Sequence, residues 1–312
     1  SQVVKQSASS SVHRSSVATR PSARVPNSAE SRPVMAEEAS EEVLDLSGEA
    51  LLAIGEEFTL PPSLQELCLM HNRIHTIDHL QHLTSLRTLN LRANRVRAIS
   101  GLGSCVALRQ LELYENQVER LEGLDHLAHL EVLDVSFNSI RRIEGLEGLA
   151  SLQELYLASN LICEIEGLGG LNSLRLLELG SNELRSAKGL AAFDLSRLDE
   201  LHLGRNKLTS LDGLQGLRSL RILGLASNRL KSLDGVQPLL GLRELYADHN
   251  WISSMCELKG LIDLHTLELS SNCLSVVQCA PLVGLGELWL SDNRMASSDQ
   301  VAEIGGAHKI LP

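Results

Sequence analysis

The pattern Leu-x-x-Leu-x-Leu-x-x-Asn recurs eleven times, closing at Asn72, Asn94, Asn116, Asn138, Asn160, Asn182, Asn206, Asn228, Asn250, Asn272 and Asn293. Neighbouring asparagines are 22 residues apart, except for a step of 24 into Asn206 and one of 21 into Asn293. A unit this short cannot enclose a core alone. Its leucines are buried only by stacking each copy on the next, so the chain must fold as an elongated array that lengthens without needing a second core.

Within each copy the alternation Leu-x-Leu predicts a short strand. In the stretch 130–138, Leu133 and Val135 are expected to point into the stack, and Val132, Asp134 and Ser136 toward solvent, because strand side chains alternate. Strands of successive copies pair in parallel about 4.8 Å apart, so eleven make an arc on the order of 50 Å long. The return segment carries Ile140, Ile143, Leu146, Leu149 and Leu152, a spacing too tight for a long helix and suited to turns or 3-10 segments. The expected fold is an α/β leucine-rich-repeat solenoid of about eleven repeats, with a curved parallel sheet on the concave face and 3-10 or turn segments on the convex face.

Full repeats begin near residue 64, and Val43-Leu44-Asp45-Leu46 looks like a strand lacking its asparagine, fit to cap the first layer. Each asparagine should satisfy backbone groups left unpaired where the chain turns off the strand, and the stacked asparagines are expected to form a hydrogen-bonded ladder. The glycines at 123, 145, 167, 189, 213 and 235 share one register, which turn geometry explains better than phosphate binding.

Residues 1–40 are rich in Ser, Ala, Arg and Pro without periodicity, and read as a disordered tail ahead of a solenoid over 41–312. The tail, Arg- and Ser-rich and poor in acids, also resembles an organelle transit peptide, although a plain extension is the simpler reading. The first residue is not methionine, which suggests an incomplete record or a processed start, with Met35 a suitable start for the folded part. The net charge is −11, and the tail through Met35 holds five bases against Glu30 alone, which leaves −15 on the rest. So acidic a body argues against nucleic acid as partner and favours a basic protein surface. No stretch is apolar and long enough to span a bilayer. The six cysteines form no CxxC pair and no dense terminal cap, which suits reduced thiols in a nuclear or cytoplasmic protein.

No catalytic motif, cofactor loop or metal-ligand spacing is present, and His71, His75, His79 and His82 read as solvated. The residue between the two strand leucines carries more information. Along the repeats it is Cys68, Asn90, Glu112, Asp134, Tyr156, Glu178, His202, Gly224, Tyr246, Glu268 and Trp289. The column two residues earlier contains Glu66, Glu154, Glu200, Glu244 and Glu287, with Leu176 and Ile222 adding aliphatic surface. A solvated sheet explains the acids but not the aromatics in a chain with 3% aromatic residues. Aromatics ringed by polar groups are the usual anchors of a protein interface.

The stretches LRQLELYENQVERLEGL (108–124), LEVLDVSFNSIRRIEGL (130–146), LLELGSNELR (176–185), LHLGRNKLTSLDGL (201–214), LRELYADHN (242–250) and LGELWLSDN (285–293) carry non-consensus residues in a telling order. In them the chain resembles the leucine-rich-repeat regulatory subunit of type-1 protein phosphatase, over roughly residues 43 to 305. The resemblance implies a non-enzymatic subunit that grips the phosphatase catalytic subunit on its concave face, in a stable inactive complex with an inhibitor as third member. The matching positions are Asp134, Tyr156, Glu178, His202, Glu268, Glu287 and Trp289, and Tyr246 joins them on the same face. His202 stands where the family has phenylalanine, which weakens an apolar contact. The family also has a further repeat with a contacting tyrosine, and it would begin where this chain ends, at His308–Pro312. The alternative is a ciliary or axonemal adaptor of dynein or tubulin, since the repeat period is shared; spliceosomal scaffolds share it too.

Overall fold

The computed structural model describes residues 42–55, 58, 60–275 and 282–295, with the backbone of Lys309–Leu311. The tail over 1–40, with its disorder and transit readings, and Cys279 lie outside the described residues. Thirteen three-residue strands form one sheet in chain order: β1 Val43–Asp45, β2 Glu66–Cys68, β3 Thr88–Asn90, β4 Gln110–Glu112, β5 Val132–Asp134, β6 Glu154–Tyr156, β7 Leu176–Glu178, β8 Glu200–His202, β9 Ile222–Gly224, β10 Glu244–Tyr246, β11 Thr266–Glu268, β12 Glu287–Trp289 and β13 Lys309–Leu311. Every pairing is parallel and in equivalent register, so Leu133 lies beside Leu155, and Leu155 beside Leu177. The sequence anticipated eleven of these strands and the cap β1. The backbone of β13 adds a strand beside β12, in the stretch where a further repeat was expected to begin.

The core is a column of leucines. Leu133, Leu155 and Leu177 are fully buried, as are Leu146, Leu149 and Leu152 of the return segment, each contributing about 2 kcal/mol relative to exposure. The return segment is built from single tight turns: Leu149 N–H donates to Leu146 O at 3.0 Å and Leu152 N–H to Leu149 O at 3.0 Å. Leucine at every third position suits this, because three residues per turn bring successive leucines onto one side. Among the described residues, full 3-10 segments occur at Lys188–Ala192 and Cys256–Leu258. The first lies in the 24-residue step and absorbs its two extra residues, with Phe193 packing partly on the core.

Each asparagine ties two repeats together. Asn160 Oδ1 accepts the N–H of Ile140 at 2.9 Å, while its Nδ2 donates to Val135 O at 3.0 Å and to Leu157 O at 3.1 Å. The bonds run to backbone of its own and the preceding repeat, not from one asparagine to the next. They also hold a costly conformation. The residue before every one of these asparagines has φ between 53° and 57°, and none is glycine. Left-handed backbone costs an L-residue about 1–2 kcal/mol, and the asparagine bonds offset it. The recurrent glycines have a separate reason. Gly145 has φ +69°, and a Cβ on it would collide with the Leu121 carbonyl of the preceding repeat.

A local expectation about side-chain direction fails as well. Ser136 is 5% exposed rather than solvent-facing. The strand ends at Asp134, so alternation does not carry through, and the Ser136 N–H is held by Asp134 Oδ1 at 2.9 Å.

Candidate functional site: the concave face

Parallel register lines up the outward side chains in two runs. Asp134, Tyr156, Glu178 and His202 are neighbours across β5 to β8. Tyr246, Glu268 and Trp289 are neighbours across β10 to β12, with Glu287 beginning β12. Between the runs lies Gly224 of β9, which is buried. A Cβ on it would stand 2.9 Å from His202 Nδ1, so the glycine makes room for the histidine ring. All eight expected site residues are therefore on one face, in two groups separated by a shallow gap. Each is half-buried.

The two tyrosines share one local motif. Tyr156 donates its hydroxyl to Glu154 Oε2 at 2.8 Å, and Tyr246 donates to Glu244 Oε2 at 2.7 Å. Burial, and then the adjoining carboxylate, push both hydroxyls well above the ordinary tyrosine range. The rings are thus fixed before any partner arrives, which lowers the entropy lost on binding. Asp134 and Glu268 each turn back to accept the N–H two residues on, at 2.9 Å in both cases. Glu178 does the same with Gly180.

Ion pairs are distributed unevenly between faces. On the turns and edges, acids have cations of neighbouring repeats: Arg142 with Glu166 at 2.8 Å, Arg175 with Asp199 at 2.8 Å, Lys207 with Glu183 at 2.7 Å, and Arg109 with Glu131. Hydrogen bonds from Arg142 and Lys207 lower the Glu166 and Glu183 carboxyls. On the concave strands from β2 to β12 there is no lysine or arginine. Glu112 borrows Arg92 from the neighbouring edge at 3.2 Å. Among the described residues, Asp134, Glu178 and Glu268 have no Lys or Arg within ion-pair distance, and His202 lies 3.7 Å from Glu200; β13 places Lys309 in register beside Glu287.

Burial pushes the Asp134 carboxyl up, with hydrogen bonds from Ser136 and the more distant charge of Arg92 pulling the other way. Burial also pushes Glu178 up, against the charge of His202 and the Gly180 N–H. The folded protein thus holds protons that the unfolded chain has already lost. Stability contributed by these groups is greatest below the unfolded carboxylate range, falls as pH rises through the raised folded values, and then levels off. Asp134→Asn combined with Glu178→Gln is expected to raise the melting temperature at pH 7 and leave it unchanged near pH 3, as calorimetry would show. A lower melting temperature at pH 7 would mean that the carboxylates stabilise the fold.

Nothing on this face forms an acid-base or metal constellation. Among the described residues no three His, Cys, Asp or Glu side chains group as metal ligands. His82, in the expected histidine cluster, contacts the Leu60 carbonyl at 2.9 Å. A polar cleft lies on the edge leading into the sheet, lined by Glu131, Gln153, Arg175 and Asp199, but Glu131 and Asp199 are already tied to arginines. Cys68, Cys105, Cys163 and Cys273 carry free thiols. Among the described residues no helix is long and apolar enough to cross a membrane.

Sequence reasoning missed two features. Trp251, on the turn after β10, is 53% exposed. At the other end of the face, Arg92 stacks on the Tyr114 ring at 4.4 Å, and Tyr114 packs against Phe137 with centroids 4.8 Å apart. The cue for the second was Arg92, Tyr114 and Phe137 in nearly the same register of successive repeats.

No curated protein matches the chain in sequence. Solved structures do. An internalin from Listeria monocytogenes aligns with a TM-score of 0.68 at 25% identity, covering 87% of this chain and 86% of that one. A leucine-rich-repeat protein of Leptospira interrogans aligns with a TM-score of 0.61 at 21% identity, covering 87% and 96%. A TDR receptor aligns at 0.64 and 25%, covering 80% of this chain and 47% of the receptor. The family model "Leucine rich repeat" matches residues 172–230, and "Leucine Rich repeats (2 copies)" matches 62–104, 84–126 and 128–170. These matches together take in more than half of the chain and follow the asparagine register, and the protein belongs to the leucine-rich-repeat family, whose solenoids are protein-interaction scaffolds and typically not enzymes.

Proposed function

We propose that this scaffold is a non-catalytic regulatory subunit that binds the catalytic subunit of type-1 serine/threonine protein phosphatase on its concave face, in the nucleus and cytoplasm. The observation that carries the reading is the row of half-buried acids, of which Asp134, Glu178 and Glu268 have no Lys or Arg within ion-pair distance among the described residues, set in line with pre-positioned aromatics. Such a row favours a basic partner, because each half-buried carboxylate gains a cation it lacks in the free protein. Tyr156 and Trp289 serve as apolar anchors, and Asp134, Glu178, Glu268 and Glu287 meet basic groups. The particular partner rests on the resemblance of residues 108–124, 130–146, 176–185, 201–214, 242–250 and 285–293 to the phosphatase subunit. His202 makes a polar contact where that family has an apolar one. An inhibitor, as third member, would then sit away from the concave strands.

The test is affinity capture from cell extract with mass spectrometry, using the full chain. Recovery of the type-1 catalytic subunit, lost on adding ~0.5 M salt, is the expected result. Recovery of dynein or tubulin without phosphatase would replace this reading with the axonemal adaptor.

A further inference from the structure

Leu240, Ile262 and Val283 are 61%, 63% and 68% exposed. Each lies four residues before the first residue of its strand, ahead of Glu244, Thr266 and Glu287, and those three are register partners across β10, β11 and β12. The turns that present them are alike: Leu242, Leu264 and Leu285 donate to the carbonyls of Leu239, Leu261 and Leu282 at 2.9, 3.2 and 2.9 Å. The three aliphatics therefore form a stripe along the edge of the solenoid, with the ~4.8 Å spacing of neighbouring strands. In the five preceding repeats the same position holds Ala128, Ala150, Asn172, Ser196 and Arg218. Val106 holds a lone aliphatic there in an earlier repeat, so three successive large aliphatics at this position occur in the repeats that carry Tyr246, Glu268 and Trp289. Isolated exposed aliphatics need no explanation, but a contiguous row bordered by charges of both signs, here Arg243, Lys259 and Asp263, has the anatomy of an interface.

We propose that this stripe is a second docking strip for the partner held by the concave face, and that it takes an amphipathic helix of that partner. The proposal rests on the phosphatase reading above. Two observations choose the occupant. First, three residues separate each stripe position from Glu244, Thr266 or Glu287 of the concave face, with Gly241, Gly284 and Gly286 among them beside Arg243, Asp263 and His265, so one bound body can reach both. Second, a helix lying along the solenoid axis presents side chains at i, i+3 and i+7 with a rise of roughly 5 Å between them. That matches the strand spacing better than an extended segment does, since same-face residues on a strand are about 6.6 Å apart.

The test compares four full-length proteins by titration calorimetry against the purified type-1 catalytic subunit: wild type, Leu240→Gln/Ile262→Gln/Val283→Gln, Val106→Gln, and Trp289→Ala. Val106 occupies the same register position in a distant repeat and is 49% exposed. All three stripe positions are exposed, so the triple variant should melt with wild type. The expected result is at least tenfold weaker binding by the triple variant and by Trp289→Ala, with Val106→Gln unchanged. An unchanged triple variant beside a weakened Trp289→Ala overturns the stripe and leaves the concave-face reading standing. Absence of wild-type binding overturns both. A concentration-dependent dimer of wild type that the triple variant abolishes, seen in sedimentation, would give the stripe to a second copy of the chain and overturn the proposal.

Discussion

Asn160→Ala should destabilise the solenoid by about 3 kcal/mol, because the change strands several groups in a place that water does not reach. The side chain is 6% exposed and bonds to Ile140 N–H, Val135 O and Leu157 O, two of them in the preceding repeat. It also holds Ser159 in the left-handed region at φ 54°, so its loss frees a strained turn as well. Repeats in a solenoid are coupled mainly to their neighbours. The damage should therefore spread outward from the fifth repeat and broaden the unfolding transition. Urea unfolding followed by circular dichroism checks both effects. A loss under ~1 kcal/mol would mean that the backbone turn is held by the sheet alone.

The second large effect concerns binding. Glu287→Ala with Trp289→Ala is expected to weaken the complex with the phosphatase catalytic subunit by at least ~2 kcal/mol, about thirtyfold, if Trp289 is a hot spot. The two residues share β12. Leu288 between them is fully buried and untouched, so the fold should persist. Full affinity in a variant that melts normally would remove these residues from the site.

The fold was legible in the sequence to an unusual degree because one repeating constraint, leucines that only stacking can bury, decides both the strand and its register. Once Asn138 and Asn160 are aligned, Asp134 must lie beside Tyr156. The left-handed residue before each asparagine was not legible. Glycine is the usual signal of such a turn, and here the position is held by Glu115, Phe137, Ser159 or Arg205, with the asparagine supplying the restraint from the next position. Ser136 was misplaced because alternation was carried past the end of a three-residue strand. The row of outward side chains could be read from spacing alone, but its electrostatic character could not. Arg175 and Asp199 are 24 residues apart in sequence, and only the stacking brings them together. Among the described residues the same stacking leaves Asp134 and Glu178 with no Lys or Arg within ion-pair distance, and it turns three separated aliphatics, Leu240, Ile262 and Val283, into one stripe.

The most direct test of the central claim is titration of the intact protein with purified type-1 phosphatase catalytic subunit at two ionic strengths. The acidic-aromatic face predicts saturable one-to-one binding that weakens at least several-fold between ~0.1 M and ~0.5 M salt. No binding by the folded protein, or an affinity indifferent to salt, would contradict it.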